Sequence, residues 1–137
     1  MPAVLVTGGT RGIGLALCKA FAQKGWAVAT CYHQDGESAA QSAKELSALT
    51  GQFSISRCDV SVEKDVSRLV QSALERWGQL DCVIHNAGAT WNARLLNVEE
   101  DQWDATLGVH LKGAFLLSKA CLRPMLKAKS GHFIFIS

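Results

Sequence analysis

Eight residues near the amino terminus have the composition of a phosphate-binding turn. Positions 7–14 read Thr-Gly-Gly-Thr-Arg-Gly-Ile-Gly. Glycine permits positive φ angles and close approach of the backbone to a ligand, and a following helix offers free N–H groups and the positive end of its dipole. A pyrophosphate group fits such a turn. The spacing is GxxxGxG, not the commonest dinucleotide fingerprint, so a simple tight connection stays open as an alternative.

Two further segments place polar side chains where a ligand could be held. Cys58-Asp59-Val60 and Asn86-Ala87-Gly88 each follow an apolar run that is typical of a strand. Asp59 could bind a ligand or cap a helix that begins near Val62. Asn86 could equally be a satisfied amide at a strand end, and Gly88 a turn former.

Apolar runs alternate with helical periodicity along the whole chain. Strands are predicted at 3–7, 27–32, 53–58, 80–85 and 133–136, and helices at 13–24, 38–49, 62–77 and from 97 toward Pro124. Because the strands are apolar on both faces, they indicate a parallel sheet covered by helices on both sides. Right-handed crossovers make this a doubly wound α/β fold, in which ligands bind at the carboxyl ends of the strands. All three polar segments lie at such ends.

The last predicted helix is the longest. Asn97 and Glu100 have the spacing of a capping box at its start. Trp103 begins a series of apolar residues at helical spacing, and Trp77 belongs to a similar series in the preceding helix. Both tryptophans are therefore predicted to lie in the core.

Composition limits the class of protein. The chain has 137 residues, of which 48% are hydrophobic, and 14 Lys and Arg are interspersed with 12 Asp and Glu. One compact domain is expected, with no basic stripe for nucleic acid and no apolar stretch near the roughly 18 residues that span a bilayer. Five scattered cysteines without CxxC spacing predict neither disulfides nor a metal site. A soluble, cytoplasmic protein without a membrane partner follows.

The three polar segments, taken in order, resemble the short-chain dehydrogenase/reductase family. The likeness is carried by residues 7–14, by Cys58-Asp59-Val60 and by Asn86-Ala87-Gly88, and it extends over the whole chain. Within the family, the pattern is most similar to the 3-oxoacyl-(acyl-carrier-protein) reductase type. The resemblance implies a Rossmann-like domain of seven strands, of which residues 1–137 would contain the first five.

The resemblance also implies residue roles. The pyrophosphate and the adenosine ribose would be held by Gly8, Gly9, Thr10, Arg11, Gly12, Ile13 and Gly14. Asp59 would bind the adenine amino group, and Val60 would pack on the ring. Asn86, Ala87 and Gly88 would line the ribose side of the cofactor.

The end of the second strand distinguishes NADP(H) from NAD(H). A carboxylate there would bind the 2′-hydroxyl of NAD(H) and repel the 2′-phosphate of NADP(H). That position corresponds to Tyr32, followed by His33, and Arg11 lies where NADP-preferring members of the family carry a basic residue. Asp35 lies where the generic fingerprint expects an acid, but its sequence context favours a helix cap. NADP(H) is therefore the predicted cofactor, with His33 among its contacts.

The reaction of the family requires a Tyr-x-x-x-Lys pair, a serine and an asparagine. The only tyrosine, Tyr32, has Gly36 four residues later, so residues 1–137 do not contain the pair. Ser137 falls in the segment of the catalytic serine; it aligns best one residue before that serine, with the alternative that it is the catalytic serine itself. His110 replaces the asparagine on the long helix, where it could position a relay water or be a core histidine bonded to a backbone carbonyl. His85 replaces the first asparagine of Asn-Asn-Ala-Gly and is expected to be structural.

The sequence therefore predicts an NADP(H)-dependent oxidoreductase that reduces a carbonyl to an alcohol. The finer expectation is reduction of a 3-oxoacyl thioester in fatty acid synthesis, with a substrate carried on acyl carrier protein. The alternative is a non-catalytic dinucleotide-binding or regulatory module, or one half of a split assembly, because the proton-donating pair is absent from residues 1–137. The resemblance also implies a homo-oligomer, a dimer or a tetramer, formed in part through the long helix.

Overall fold

One sheet of five parallel strands forms the centre of the computed structural model, which describes residues 1–137. The strands are β1 (Ala3–Thr7), β2 (Ala27–Tyr32), β3 (Phe53–Arg57), β4 (Cys82–His85) and β5 (His132–Phe135). Their order in the sheet is β3-β2-β1-β4-β5, and each neighbouring pair is parallel. From β1 the chain adds β2 and β3 on one side, and it then returns to add β4 and β5 on the other side. The switch point of the sheet therefore lies between β1 and β4. The predicted doubly wound α/β fold is confirmed.

Five helices accompany the sheet, and four of them cover its faces. They are α1 (Gly12–Gln23), α2 (Gly36–Ser47), α3 (Glu63–Trp77), α4 (Glu100–Leu107) and α5 (Gly113–Ala128). Cys18 of α1 and Leu46 of α2 belong to one buried cluster, whereas Leu69 of α3 and Leu117 of α5 belong to another. Each face of the sheet is thus covered by its own pair of helices.

The central strand β1 is buried on both faces. Val4 and Val6 pack in the α1/α2 cluster, and Leu5 packs in the α3/α5 cluster. This alternation follows from the two-residue period of a strand. It explains why the sequence of β1 is a continuous apolar run, and it holds the residues after Thr7 at a fixed place above the sheet.

The long helix is interrupted by a wide turn. Gly108–Lys112 form a π-helical turn between α4 and α5, a feature that often occurs at functional sites. The Asn97 capping box predicted from the sequence is wrong, because Leu95–Asn97 form a short 3₁₀ turn and the helix begins at Glu100. The Gln102 side chain instead accepts a hydrogen bond of 3.0 Å from the N–H of Glu99.

The helix also extends beyond Pro124, toward which it was predicted to run. Pro124 lies inside α5, which ends at Ala128. Proline removes one helical hydrogen bond, but the next residue, Met125, is buried in the core cluster and holds the last turns against the sheet.

The long helix carries an exposed apolar face. We call the long-helix face the set of exposed side chains Trp103, Leu107, Leu111, Phe115, Leu122 and Leu126. Trp103 is 58% exposed, so its predicted core position is wrong: periodicity identifies an apolar face but not what covers it. Trp77 packs partly buried against the core, and its Nε1 donates to Oε1 of Gln52 at 3.2 Å. No helix has both the length and the apolar character needed to cross a bilayer.

Candidate functional site

A cleft of about 730 Å³ opens at the carboxyl ends of β1, β2, β3 and β4. The predicted cofactor contacts that line it are Gly8, Thr10, Arg11, Gly12, Ile13, His33, Asp59, Val60, Asn86, Ala87 and Gly88. Three separate segments of the sequence therefore meet in one place. Gly9, Gly14 and the catalytic candidates His110 and Ser137 do not line the cleft.

Some lining residues were not identified from the sequence. Cys31 lines the cleft at the end of β2, and its place at a strand end is a signal that could have identified it. Ala89 and Val109 also line it. Val109 lies in the π-helical turn, which no pattern in the sequence predicts.

The turn after β1 can be built only with glycine at particular positions. Gly8 has a φ of 67°, in the left-handed region. A Cβ atom on Gly14 would lie 2.2 Å from the carbonyl oxygen of Gly8, so the start of α1 packs directly on the turn. The N-terminus of α1 has no side-chain cap and no acidic residue in its first turn. Its free N–H groups and dipole are therefore available to an anion above the turn.

Thr7 connects the turn to the end of β4. Its hydroxyl oxygen accepts hydrogen bonds from the backbone N–H groups of Asn86, at 3.1 Å, and Ala87, at 3.0 Å. With both acceptor positions used, the hydroxyl donates to Nδ1 of His85, 3.0 Å away. Thr7 is fully buried, so this network fixes how the two strand ends face each other.

His85 links the same network to the long helix. Because Nδ1 accepts from Thr7, the proton is on Nε2, which donates to the carbonyl oxygen of Val109 at 2.9 Å. Burial lowers the pKa of His85 and favours this neutral form. The expected structural role agrees with this geometry: His85 holds the π-helical turn against the carboxyl end of β4.

Asn86 closes the switch point from the other side. Its Nδ2 donates to the carbonyl oxygen of Gly8 at 3.2 Å. This amide therefore satisfies a carbonyl of the glycine turn while its residue lines the cleft. The contact holds the turn and the Asn86-Ala87-Gly88 segment together as the two walls of one site.

Asp59 lines the cleft, and its two carboxylate oxygens have different neighbours. Its Oδ1 accepts from the backbone N–H of Ser61 at 3.0 Å and from the Ser61 hydroxyl at 2.6 Å, and its Oδ2 lies 3.6 Å from Nε2 of His33. Burial raises the pKa of Asp59, but the bonds from Ser61 and the proximity of His33 outweigh it and lower the pKa overall. Val62 is the N-cap residue of α3, so Asp59 does not serve as that cap.

Arg11 and Asp35 form an ion pair at the rim of the cleft. Nη1 of Arg11 lies 3.3 Å from Oδ2 of Asp35. Asp35 also caps α2, as its sequence context predicted, by accepting from the backbone N–H of Ser38 at 3.0 Å. The Ser38 hydroxyl and N–H, followed by Arg11, lower the pKa of Asp35.

His110 is bonded to backbone next to the cleft. Its Nε2 lies 2.9 Å from the carbonyl oxygen and 3.2 Å from the nitrogen of Ala89. A Cβ atom on Gly88 would lie 2.5 Å from Cε1 of His110, so the ring packs directly on this glycine. His110 is half-buried and not in the core. Its contact with a backbone carbonyl fits the structural alternative, and both roles stay predictions. Ser137 follows β5 as an exposed residue.

The geometry fits one end of a dinucleotide. The glycine turn and the uncapped start of α1 offer N–H groups to a pyrophosphate, Arg11 offers a cation, and Asp59 offers an acceptor for an amino group. The apolar side chain of Val60 borders the same cleft. These groups bind and orient, and none of them is a proton donor placed for carbonyl reduction.

Comparison with known proteins gives consistent matches. A family model described as short chain dehydrogenase matches residues 2–137. The 3-oxoacyl-(acyl-carrier-protein) reductase FabG of Chlamydia trachomatis is 38% identical over 97% of this chain and 54% of its own length. A 3-oxoacyl-(acyl-carrier-protein) reductase of Synechocystis is 35% identical over 97% of this chain and 54% of its own length. The chain thus spans about half the length of the curated relatives it matches.

Solved structures match as well. A metagenomic short-chain oxidoreductase in complex with NADP superposes with a TM-score of 0.91 at 31% identity, over 99% of this chain and 62% of that one. A double mutant of a Serratia marcescens short-chain dehydrogenase/reductase has a TM-score of 0.90 at 28% identity, over 99% of this chain and 55% of that one.

Proposed function

Because the chain belongs to the short chain dehydrogenase family, we propose that the protein is an NADP(H)-dependent oxidoreductase that reduces a carbonyl group to an alcohol. One observation carries the proposal. The fold brings the turn at residues 8–14, the carboxylate of Asp59 and the Asn86-Ala87-Gly88 segment into a single cleft with Arg11 at its rim. The solved relative in complex with NADP supports the same cofactor.

The residues of this chain would hold the adenosine and pyrophosphate portions of the cofactor. The free N–H groups at the start of α1 bind the pyrophosphate, and the guanidinium of Arg11 binds the 2′-phosphate with help from His33. Asp59 accepts from the adenine amino group, and Val60 packs on the ring. When bound, NADPH supplies the hydride for the reduction.

Carbonyl reduction also needs a proton donor near the developing alkoxide. Tyr32 is the only tyrosine in the chain, and it lines the cleft beside His33, at the proposed adenosine end. We therefore assign residues 1–137 to cofactor binding, as the first five strands of a larger NADP-binding domain, with the proton donor outside them. The 54% coverage of the curated reductases is consistent with this division.

For the substrate, we propose a 3-oxoacyl thioester carried on acyl carrier protein. The support comes from curated relatives of that name, which are 33–38% identical to the chain. A non-catalytic binding module is not favoured, because relatives that match nearly the whole chain are named as reductases.

The test uses the protein expressed from its complete reading frame. We expect NADPH to be consumed in the presence of a 3-oxoacyl thioester, and Arg11→Met to weaken NADPH binding in a direct titration. Glu37→Gln is the control, because Glu37 is an exposed residue that does not line the cleft. Tight NADPH binding without reduction of any carbonyl in a substrate panel would instead support a non-catalytic module.

We also propose that the protein is a homo-oligomer that associates through the long-helix face. Phe115 lies within this face and is 59% exposed, so Phe115→Glu should lower the molar mass measured by light scattering. Leu49→Glu, a substitution at a 39% exposed residue after α2, should leave the mass unchanged. An unchanged mass in Phe115→Glu would show that assembly does not depend on this face.

A further inference from the structure

Asp35 is an acid at the rim of a cleft proposed to bind a phosphate. Both of its carboxylate oxygens are occupied: Oδ1 accepts from the Ser38 N–H, and Oδ2 accepts from the Ser38 hydroxyl at 2.6 Å and from Arg11 at 3.3 Å. The bonds to Ser38 attach the carboxylate to the first turn of α2. It is therefore a fixed negative charge.

Arg11 is the mobile partner of this pair. Its side chain is 75% exposed, compared with 38% for Asp35, and the ion pair is its only hydrogen-bonded contact with another side chain. A long exposed arginine can exchange one anion for another at low cost. Asp35 and a phosphate on the ribose would both bind this one guanidinium.

The cleft lining contains few positive charges that could bind a phosphate in place of Arg11. The charged lining residues are Arg11, Asp35 and Asp59, with His33 beside Asp59. The carboxylates of Asp35 and Asp59 outnumber the single guanidinium of Arg11, so these three side chains supply no surplus positive charge for a phosphate. A phosphate on the ribose therefore competes with Asp35 for the guanidinium of Arg11.

We infer that Asp35 is a specificity-determining residue that reduces discrimination between NADPH and NADH by competing with the 2′-phosphate for Arg11. The inference rests on the proposed binding of NADP(H) in this cleft. NADH lacks the 2′-phosphate, so its affinity does not depend on releasing Arg11. Asp35 thereby lowers the affinity for NADPH toward the affinity for NADH, so the preference for NADPH is smaller than it would be with Arg11 alone.

The test is Asp35→Asn in the full-length protein, with NADPH and NADH titrated separately. Asparagine is as good an N-cap as aspartate, so α2 keeps its cap while the charge is lost. Because an exposed ion pair is a weak interaction, the ratio of the NADH to the NADPH dissociation constant should rise only about fivefold. Glu37→Gln removes an equal charge from the same helix turn and should not change the ratio.

Repeating the test in the Arg11→Met variant distinguishes competition for Arg11 from direct repulsion between Asp35 and the phosphate. In Arg11→Met, the Asp35→Asn substitution should have little effect on the ratio, because no guanidinium remains to be released. An equally large effect there, or no effect in the wild-type background, would overturn the inference. If the wild-type protein binds NADPH, either result leaves the proposed function standing; if it binds neither nucleotide, both proposals are wrong.

Discussion

Replacing Thr7 by valine tests the network that joins the glycine turn to β4. Valine has nearly the shape of threonine, but it lacks the hydroxyl that serves three partners: the N–H groups of Asn86 and Ala87 and Nδ1 of His85. In the unsubstituted protein, every buried side-chain nitrogen and oxygen atom has a hydrogen-bond partner. The substitution therefore creates unpaired groups in a network that is otherwise complete.

The expected loss can be estimated from these partners. An orphaned buried polar group costs about 1–3 kcal/mol. Asn86 and Ala87 are only half-buried at the edge of the cleft, which reduces the penalty for their N–H groups, whereas His85 is only 4% exposed. We expect Thr7→Val to lower the free energy of unfolding by about 3 kcal/mol.

Urea unfolding followed by circular dichroism measures this loss, with Thr7→Ser as the matched control. Serine keeps the hydroxyl and loses one methyl group, so its expected cost is only about 1 kcal/mol. Equal unfolding midpoints for Thr7→Val and Thr7→Ser would refute the reasoning, because removing the hydroxyl would then cost no more than removing one methyl group.

Three further predictions concern pH, packing and thiol reactivity. Burial lowers the pKa of His85 below its ordinary value of 6.5, so the unfolded chain takes up this proton at a higher pH than the folded protein does. The free energy of unfolding should therefore fall as the pH drops below 6.5. Urea titrations at several pH values measure this dependence, and His85→Gln should make it weaker. Gly9→Ala should strongly lower the melting temperature, because its Cβ would lie 2.1 Å from Oγ1 of Thr30, whereas Gly36→Ala meets open space and should not. Burial raises the pKa of Cys18 and Cys121 to about 12, so an aromatic disulfide reagent should label them slowly in the native protein and rapidly in urea; fast native labelling would contradict their burial.

Much of the site could be predicted from the sequence because it lies at strand ends. The strands are recognisable as apolar runs, and the residues after a parallel strand must meet at one edge of the sheet. Gly8, Asp59 and Asn86 follow three such strands, and all three line the cleft. Their convergence needed only the fold class.

Other features depend on three-dimensional detail that no local pattern carries. Trp103 has the same helical spacing as residues that pack on the sheet, yet it is exposed, because spacing does not reveal which side of the helix meets the core. Thr7 resembles any threonine at the end of a strand. The pairing of Arg11 with Asp35 depends on the path of a flexible side chain across 24 positions of sequence.

The pairing of β1 with both β2 and β4 has a consequence for the order in which the chain folds. β1 meets β2 after one short helical crossover, but Thr7 meets His85 across 78 positions. During synthesis, the glycine turn therefore emerges long before the segment that forms its opposite wall. Contacts that close such long loops form late and slow folding. A nucleotide in the cleft would stabilise only chains in which β4 has already docked, so it would act on the last step of folding rather than guide the first.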